Sequence, residues 1–156
     1  MRSRPWGIAA AAATMIAAMP AVAAAAADPA ELRCLALNVY WEARSETPED
    51  QMAIAHATLN RVKSPDFPDT ICDVVRQGGE DGACQFSWWC DGAPDEPLNA
   101  EAWAAAQRVA RAALNGEVPD PTGGAVYYHL DTIEPDWAGE MRQTAVIGPH
   151  VFYKGE

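Results

Sequence analysis

The sequence predicts an α+β fold, with a helical part first and a small antiparallel β part last. Apolar residues recur at helical spacing from residue 29 to residue 115, whereas after Pro119-Asp120-Pro121 the pattern alternates with a period of two. Helices grouped ahead of strands are typical of the α+β class. Four cysteines in a chain of 156 residues also suit one small domain with two disulfides.

Residues 1–27 are predicted to be a secretory signal peptide, which leaves residues 28–156 as a single domain. Arg2 and Arg4 give a basic start, an apolar run covers residues 8–19, and small residues follow Pro20. An uncleaved membrane anchor is the alternative, but the run is mostly alanine and shorter than the ~20 residues that a span requires. We therefore expect an exported protein, periplasmic or extracellular, without stable membrane insertion after cleavage.

The chain is strongly acidic. Its formal charge is −11, and it becomes −13 if Arg2 and Arg4 leave with the signal peptide. Such a charge repels nucleic acid and anionic membrane surfaces, so nucleic-acid partners are excluded. We expect the domain to act as a monomer.

Cap residues predict the helices. Asp28 and Thr47 each precede a proline and an acidic first turn, and Asn99 precedes a long alanine-rich run, all of which are N-terminal signals. Gly116 is a C-terminal signal for the last helix. The expected helices cover residues 29–43, 48–62, 70–77 and 100–115.

The last third of the chain predicts strands over residues 123–130 and 144–153. The second strand is expected to break at the turn-like Gly148-Pro149. The stretch between the strands, which contains Pro135 and Trp137, is expected to be a loop.

The cysteine spacing favours two disulfides. Cys84 and Cys90 enclose only five residues, which favours a bond between them and, by elimination, a bond between Cys34 and Cys72. A zinc site is the competing interpretation, but no pair has the C-x2-C spacing.

The segment over residues 40–46 gathers two carboxylates, an arginine and two large aromatic residues where the first helix ends. Glu42 stands at the negative end of the helix dipole, an unfavourable place for a carboxylate without a role. Aromatic neighbours can keep its carboxyl dry, which raises a carboxyl pKa. One interpretation is a general acid/base that acts on a glycosidic bond. The other is a structural salt bridge with Arg44 or Arg61.

The segment bracketed by Cys84 and Cys90 contains a phenylalanine and two tryptophans. These rings suit a plug for the core. They also suit a sugar platform, in which Gln85 and Ser87 bind hydroxyl and acetamido groups.

The three histidines allow a further alternative. His56 lies on the apolar stripe of the second helix and is expected to be a core residue, whereas His129 and His150 occur on the two predicted strands and could approach each other. Three histidines and an acid can hold a catalytic zinc, but no H-E-x-x-H pattern is present. No G-x-S-x-G pattern is present and the cysteines are expected to be oxidised, so catalysis by serine or cysteine has little support.

Six short motifs resemble, in their order, the SleB/CwlJ-type cell wall hydrolases, which include the spore-cortex lytic enzymes. They read E-A-R-S-E, L-N-R-V, F-P-D-T-I, C-Q-F-S, P-T-G-G-A-x-Y and I-G-x-H-V-F-Y, and they occupy residues 42–46, 59–62, 67–71, 84–87, 121–127 and 147–153. The matched region extends from about Leu32 to Tyr153. The resemblance implies an α+β fold related to lysozymes and lytic transglycosylases.

The resemblance also implies an enzyme that cleaves the MurNAc–GlcNAc bond of peptidoglycan, as a lytic transglycosylase. Alternatives are a hydrolytic muramidase, a zinc-dependent N-acetylmuramoyl-L-alanine amidase and a non-catalytic glycan-binding module. Neither a metal nor an organic cofactor is implied for the glycosidase. The family motif E-A-R-G-E places the catalytic acid at Glu42. The implied substrate-binding residues are Gln85, Phe86 and Ser87 in the glycan cleft, with Tyr127 and His150 facing it from the β part.

Two positions depart from the family pattern. Ser45 replaces the usual glycine, and Pro149 replaces the usual asparagine before the histidine. If that glycine has a positive φ, a serine in its place is strained.

Overall fold

Helices precede strands along the chain, as the change in periodicity predicts. The computed structural model describes residues 27–79 and 83–155. All but the last residue of the predicted signal peptide therefore lies outside the described residues. The elements are α1 (Pro29–Ala43), α2 (Pro48–Lys63), α3 (Ile71–Val75), α4 (Ser87–Cys90), α5 (Ala100–Leu114), β1 (Tyr127–Leu130), the 3-10 helix η1 (Asp136–Glu140), β2 (Arg142–Ile147) and β3 (His150–Lys154). The predicted α+β class is confirmed.

The helix starts follow the predicted caps. The side chains of Asp28 and Thr47 accept hydrogen bonds from the backbone N–H groups of Ala30 and Asp50, at 2.8 and 3.2 Å. The side chain of Asn99 caps α5 in the same way. Each side chain satisfies an N–H that has no partner within its own helix.

Helix α1 lies at the centre of the helical part, where it contacts α2, α3 and α5. Its residues Leu35, Ala36 and Val39 have no exposed surface. Helix α5 meets it through small side chains, because Ala106 and Ala110 are its most buried residues. Alanines at this contact let the two helix backbones approach closely.

The three strands form an antiparallel sheet in the order β1-β3-β2. Both faces of the central strand β3 are covered, because side chains alternate along a strand. Phe152 packs into the main core with the helices, whereas Val151 and Tyr153 pack with Trp137 and Met141 in a second, smaller cluster.

Three sequence predictions in the β part differ from the structure in their bounds. The strand expected from residue 123 begins at Tyr127. Gly123 and Gly124 have φ values of +69° and +86°, which fit a turn and not a strand. The strand expected over 144–153 is the hairpin β2–β3, with Gly148 at φ +53° in its turn. The loop expected around Pro135 contains η1.

Both predicted disulfides are present, Cys34–Cys72 and Cys84–Cys90. The first joins α1 to α3 across a separation of 38 residues, and the second closes a loop with a separation of six. We expect removal of the longer link, in a Cys34→Ala/Cys72→Ala variant, to cost about 4 kcal/mol of unfolding free energy. Removal of the shorter link is expected to cost about 2 kcal/mol, because the loop it closes restricts the unfolded chain less. Denaturant unfolding of both double variants tests this order, and equal losses would contradict it.

Candidate active site

Glu42 lies in the last turn of α1, at the wall of a groove with a volume of about 680 Å³ between the helical part and the sheet. The carboxyl-bearing side chain is partly buried. The groove is lined by residues from both parts of the fold: Trp41, Glu42, Arg61, Gln85, Phe86, Tyr127, Tyr128, His129, Leu130, Ile133, Pro135, Trp137, Met141 and His150. Its size is that of a small-molecule or sugar site.

Tyr128 on β1 is the direct partner of Glu42. Its hydroxyl donates a hydrogen bond to the Glu42 Oε2 atom at 3.1 Å, across the boundary between helices and sheet. Burial, together with the nearby Glu42 charge, raises the pKa of Tyr128 well above its ordinary value. The hydroxyl therefore keeps its proton and acts as a donor.

Burial raises the pKa of Glu42 above the ordinary carboxyl value. The hydrogen bond from Tyr128 and the charges of His150 and Arg61 act in the opposite direction, but burial is the largest contribution. The carboxyl thus holds its proton to a higher pH than a surface glutamate does. After the proton leaves, the hydrogen bond from Tyr128 stabilises the carboxylate.

Arg61 on α2 forms the floor beside Glu42. It is 5% exposed, and its Nε donates to the Val126 carbonyl oxygen at 2.6 Å. Its guanidinium lies 5.2 Å from the ring centres of both Phe67 and Phe86. Burial lowers the pKa of this arginine, but an arginine so far from its titration range stays charged. It therefore supplies a fixed positive charge next to the carboxyl.

The interpretation of Glu42 as a simple ion-pair partner finds no support. Across residues 27–79 and 83–155, no salt bridge joins Glu42 to Arg44 or Arg61. Arg44 instead lies over the rings of Tyr40 and Trp41, at 5.2 and 4.8 Å from their centres.

Four of the five residues that the resemblance implies for substrate binding line the groove with Glu42, namely Gln85, Phe86, Tyr127 and His150. The fifth, Ser87, is exposed at the first position of α4 and does not line the groove. Gln85 is oriented by Arg61, whose Nη1 lies 3.5 Å from the amide oxygen. The cysteine-bracketed segment therefore has two roles: Gln85 and Phe86 face the groove, while Trp88 plugs the core and donates to Asn38 at 3.2 Å.

His150 is held by a carboxylate that the sequence analysis did not single out. Its Nδ1 lies 2.9 and 3.1 Å from the two carboxylate oxygens of Asp50, and both side chains are buried. Because a carboxylate only accepts, Nδ1 carries the proton and donates. Gly148 makes room for the pair, since a Cβ there would come within 3.1 Å of Asp50.

The other two histidines are both bonded to protein groups, and His129 also lines the groove. His56 is buried on α2 and bonds the Val118 carbonyl oxygen at 3.1 Å, as expected for a core residue. His129 packs against Tyr153 on the face of the sheet opposite His150, because neighbouring pairs of an antiparallel ladder point to opposite faces. In the described part of the chain no three His, Cys, Asp or Glu side chains are placed to hold a metal ion, so the zinc alternatives gain no support.

Ser45 causes no strain. No non-glycine residue within 27–79 and 83–155 has a positive φ, so the turn after α1 accepts a serine.

Among the residues that the structure describes, no helix is both long and apolar enough to cross a membrane.

Comparison with protein families gives a match to the family described as Cell Wall Hydrolase over residues 45–153. The match begins three residues after Glu42. Among curated proteins, the spore cortex-lytic enzyme of Halalkalibacterium halodurans is 36% identical over 127 residues, covering 78% of this chain and 34% of that protein. The spore cortex-lytic enzyme of Bacillus subtilis is 34% identical over 123 residues, covering 78% of this chain and 37% of that protein. The chain thus spans little more than a third of these relatives.

Solved structures share the fold. The catalytic domain of the germination-specific lytic transglycosylase SleB from Bacillus anthracis superimposes with a TM-score of 0.64 at 32% identity, covering 87% of this chain and all of that one. The catalytic domain of the Bacillus cereus SleB protein gives a TM-score of 0.61 at 34% identity, covering 80% of this chain and 89% of that one. The predicted fold and the predicted family resemblance are both confirmed.

Proposed function

Because the chain belongs to the cell wall hydrolase family, we propose that it cleaves the MurNAc–GlcNAc glycosidic bond of peptidoglycan as a lytic transglycosylase. Glu42 serves as general acid and then as general base. The observation that carries this proposal is the partly buried Glu42 carboxyl, whose pKa burial raises and which opens onto a sugar-sized groove.

In the proposed reaction Glu42 first gives up a proton and later takes one back. Protonated Glu42 donates to the glycosidic oxygen as the bond to MurNAc C1 breaks through an oxocarbenium-like transition state. The resulting carboxylate accepts the hydrogen bond of Tyr128 and lies beside the charge of Arg61. It then takes the proton of the MurNAc C6 hydroxyl as that oxygen attacks C1. The products are a 1,6-anhydro sugar and a GlcNAc end, and Glu42 regains its proton.

The carboxyl groups in and around the groove favour this route over hydrolysis. Hydrolysis with retention and hydrolysis with inversion of the sugar configuration both use a second carboxylate near the first. Among the described groove-lining residues, Glu42 is the sole acid, and the nearby Asp50 has no exposed surface and is bonded to His150. The other candidates for a second acid, Glu46, Asp73 and Asp91, do not line the groove. Attack by the sugar's own hydroxyl removes the need for a second acid.

Four binding roles complete the proposal. Gln85 and the Nε2 atom of His150 bind hydroxyl or acetamido groups, while the rings of Phe86 and Tyr127 contact sugar faces. Ser87, which is exposed and follows Phe86 in the chain, stays a predicted substrate contact outside the groove lining. No metal or organic cofactor takes part in this chemistry.

We place the protein outside the cytoplasm, in the periplasm or beyond the cell, where its substrate lies. This placement rests on the predicted signal peptide over residues 1–27 and on an acidic domain held by two disulfides. The domain over residues 28–156 is proposed to work as a monomer on glycan strands.

Mass spectrometry of digested sacculi tests the proposal. Soluble muropeptides ending in 1,6-anhydroMurNAc are expected, and their yield should be insensitive to EDTA. Reducing MurNAc ends would indicate a hydrolytic muramidase. Free stem peptides released in an EDTA-sensitive manner would indicate the amidase, and binding without any release would indicate a glycan-binding module.

Tyr128→Phe is expected to shift the alkaline limb of the pH–rate profile to higher pH. The hydroxyl lowers the pKa of Glu42, so its loss lets the carboxyl keep its proton further into the alkaline range. Tyr127→Phe is the matched control, because only the hydroxyl of residue 128 bonds Glu42. A Tyr128→Phe profile that stays in place or moves to lower pH would overturn the role given to this hydrogen bond.

A further inference from the structure

A second cavity adjoins the groove and takes no part in the chemistry described so far. Its volume is about 380 Å³, and it is lined by Asn60, Lys63, Ser64, Asp66, Gly124, Val126, Tyr127, Lys154 and Gly155. Tyr127 belongs to the linings of both cavities, so the two spaces meet at this side chain. The second cavity is therefore a direct neighbour of the groove.

The charge of this cavity is unusual for the chain. The protein has a formal charge of −11 and contains only two lysines, and both of them line this cavity. Lys63 is the last residue of α2 and Lys154 is the last residue of β3, so the fold brings together the ends of two distant elements. Within residues 27–79 and 83–155 neither lysine forms a salt bridge. Asp66 is the one acidic residue of the lining.

Two other polar groups of the lining, the Asn60 amide and the Val126 carbonyl, are already engaged. The Asn60 amide donates to Asp120 at 2.9 Å and to the Ala125 carbonyl at 3.0 Å. The Val126 carbonyl accepts from Arg61. The two ammonium groups are thus the charged donors that the cavity offers to a ligand, and they suit an anion.

The substrate of the proposed reaction carries such anions. MurNAc bears a peptide on its C3 lactyl group, and the free carboxylates of this stem peptide lie along and at the end of the chain. A four-residue stem spans up to on the order of 14 Å when extended. The peptide of a MurNAc bound beside Glu42 extends beyond the sugar, and the neighbouring cavity with the two lysines shares Tyr127 with the groove.

We propose that the cavity with Lys63 and Lys154 binds the stem-peptide carboxylates of the MurNAc unit in the groove. This assignment rests on the proposed function, and it makes the peptide a determinant of substrate choice. Lysine suits the task because its ammonium has three donors and adapts to a mobile carboxylate.

Peptide binding without catalysis tests the cavity directly. Calorimetric titration of Glu42→Gln protein with a synthetic stem tetrapeptide is expected to show saturable binding that added salt weakens. A further Lys63→Gln/Lys154→Gln change should weaken binding roughly 3- to 10-fold, the range for two solvent-accessible ion pairs. A peptide with amidated carboxylates should bind the unchanged cavity equally weakly.

The matched control removes two positive charges elsewhere. Arg108 and Arg111 are exposed on α5, and the change of both to glutamine leaves the cavity intact. If both double variants weakened peptide binding equally, the effect would come from net charge and not from the cavity, and the proposal would be overturned. Inorganic phosphate that displaces the peptide at equal concentration would show a general anion site and would overturn it too.

A rate comparison links the cavity to turnover. The quantity compared is the ratio of kcat/KM on glycan strands with intact stems to kcat/KM on peptide-free strands. In the Lys63→Gln/Lys154→Gln variant with Glu42 intact, this ratio is expected to fall roughly 3- to 10-fold below the parent's ratio. An unchanged ratio of the two rates would overturn the proposal. A parent protein that cleaves neither strand would instead refute the glycosidase function, while the peptide titration would still report on the cavity.

Discussion

Replacing Glu42 by glutamine is expected to lower the rate of glycan cleavage by about 10²–10⁴-fold, the usual contribution of general acid–base catalysis. Glutamine keeps the shape of the side chain and still accepts the hydrogen bond from the Tyr128 hydroxyl, but its amide has no acidic proton to transfer to the glycosidic oxygen. The fold is expected to stay intact. Release of soluble muropeptides from sacculi measures the loss.

Glu46→Gln provides the matched control for this substitution. Glu46 lies four residues further on, past the end of α1, and does not line the groove. We expect its variant to cleave at nearly the parent rate. Equal rates for the parent and Glu42→Gln would remove Glu42 from the mechanism, and an equal loss in both variants would point to a charge effect.

The stability of Glu42→Gln gives an independent reading of the same carboxyl. Because burial raises the pKa of Glu42, the folded protein holds that proton more tightly than the unfolded chain does. The stability from this group is present below the ordinary carboxyl pKa and is lost as the pH rises through the raised value. Glutamine avoids this loss, so the variant should unfold at a higher temperature than the parent near neutral pH. A difference that does not shrink on acidification would contradict the raised pKa.

The starts of α1, α2 and α5 could be predicted because their signals are local, whereas α4 was missed and α3, expected over 70–77, spans Ile71–Val75. A cap residue such as Asp28 or Thr47 bonds an N–H two or three residues away, so the sequence contains both partners of each bond. Glu42 was likewise accessible, since its position in the last turn of α1 follows from these boundaries. The disulfide pairing was also accessible, because four cysteines allow only three pairings.

The partners of Glu42 could not be predicted with the same ease. Tyr127 and Tyr128 are adjacent on β1 and point to opposite faces, and which one faces Glu42 depends on the register against β3. That register pairs Tyr128 with Phe152, a core residue, and so places the hydroxyl of residue 128 on Glu42. A sequence pattern with a period of two allows both choices.

Asp50 and His150 illustrate the same difficulty over a longer range. They are separated by 100 positions, and Asp50 has the appearance of an ordinary acid in the first turn of α2. One available clue was Gly148, a residue whose absent Cβ leaves space for the Asp50 carboxylate. The sequence shows that glycine only as part of a turn.

Arg61→Ala is expected to cause the largest loss of stability of any single substitution considered, about 3 kcal/mol or more of unfolding free energy. The truncation leaves the Val126 carbonyl without its 2.6 Å donor and opens a cavity between the rings of Phe67 and Phe86. Since Arg61 joins α2 to the start of the sheet, the loss affects the contact between the two parts of the fold. Denaturant unfolding measures it.

Arg61→Met separates the packing of this side chain from its charge. Methionine fills much of the space between the two rings but donates no hydrogen bond, so we expect a smaller loss, about 1–3 kcal/mol. Removing the charge also raises the pKa of Glu42 further, because Arg61 favours the carboxylate. The alkaline limb of the pH–rate profile should therefore move to higher pH. If the methionine variant matched the parent in both stability and pH profile, Arg61 would act only by filling space. If the alkaline limb moved while the stability stayed the same, the role of Arg61 would lie in the chemistry of the groove.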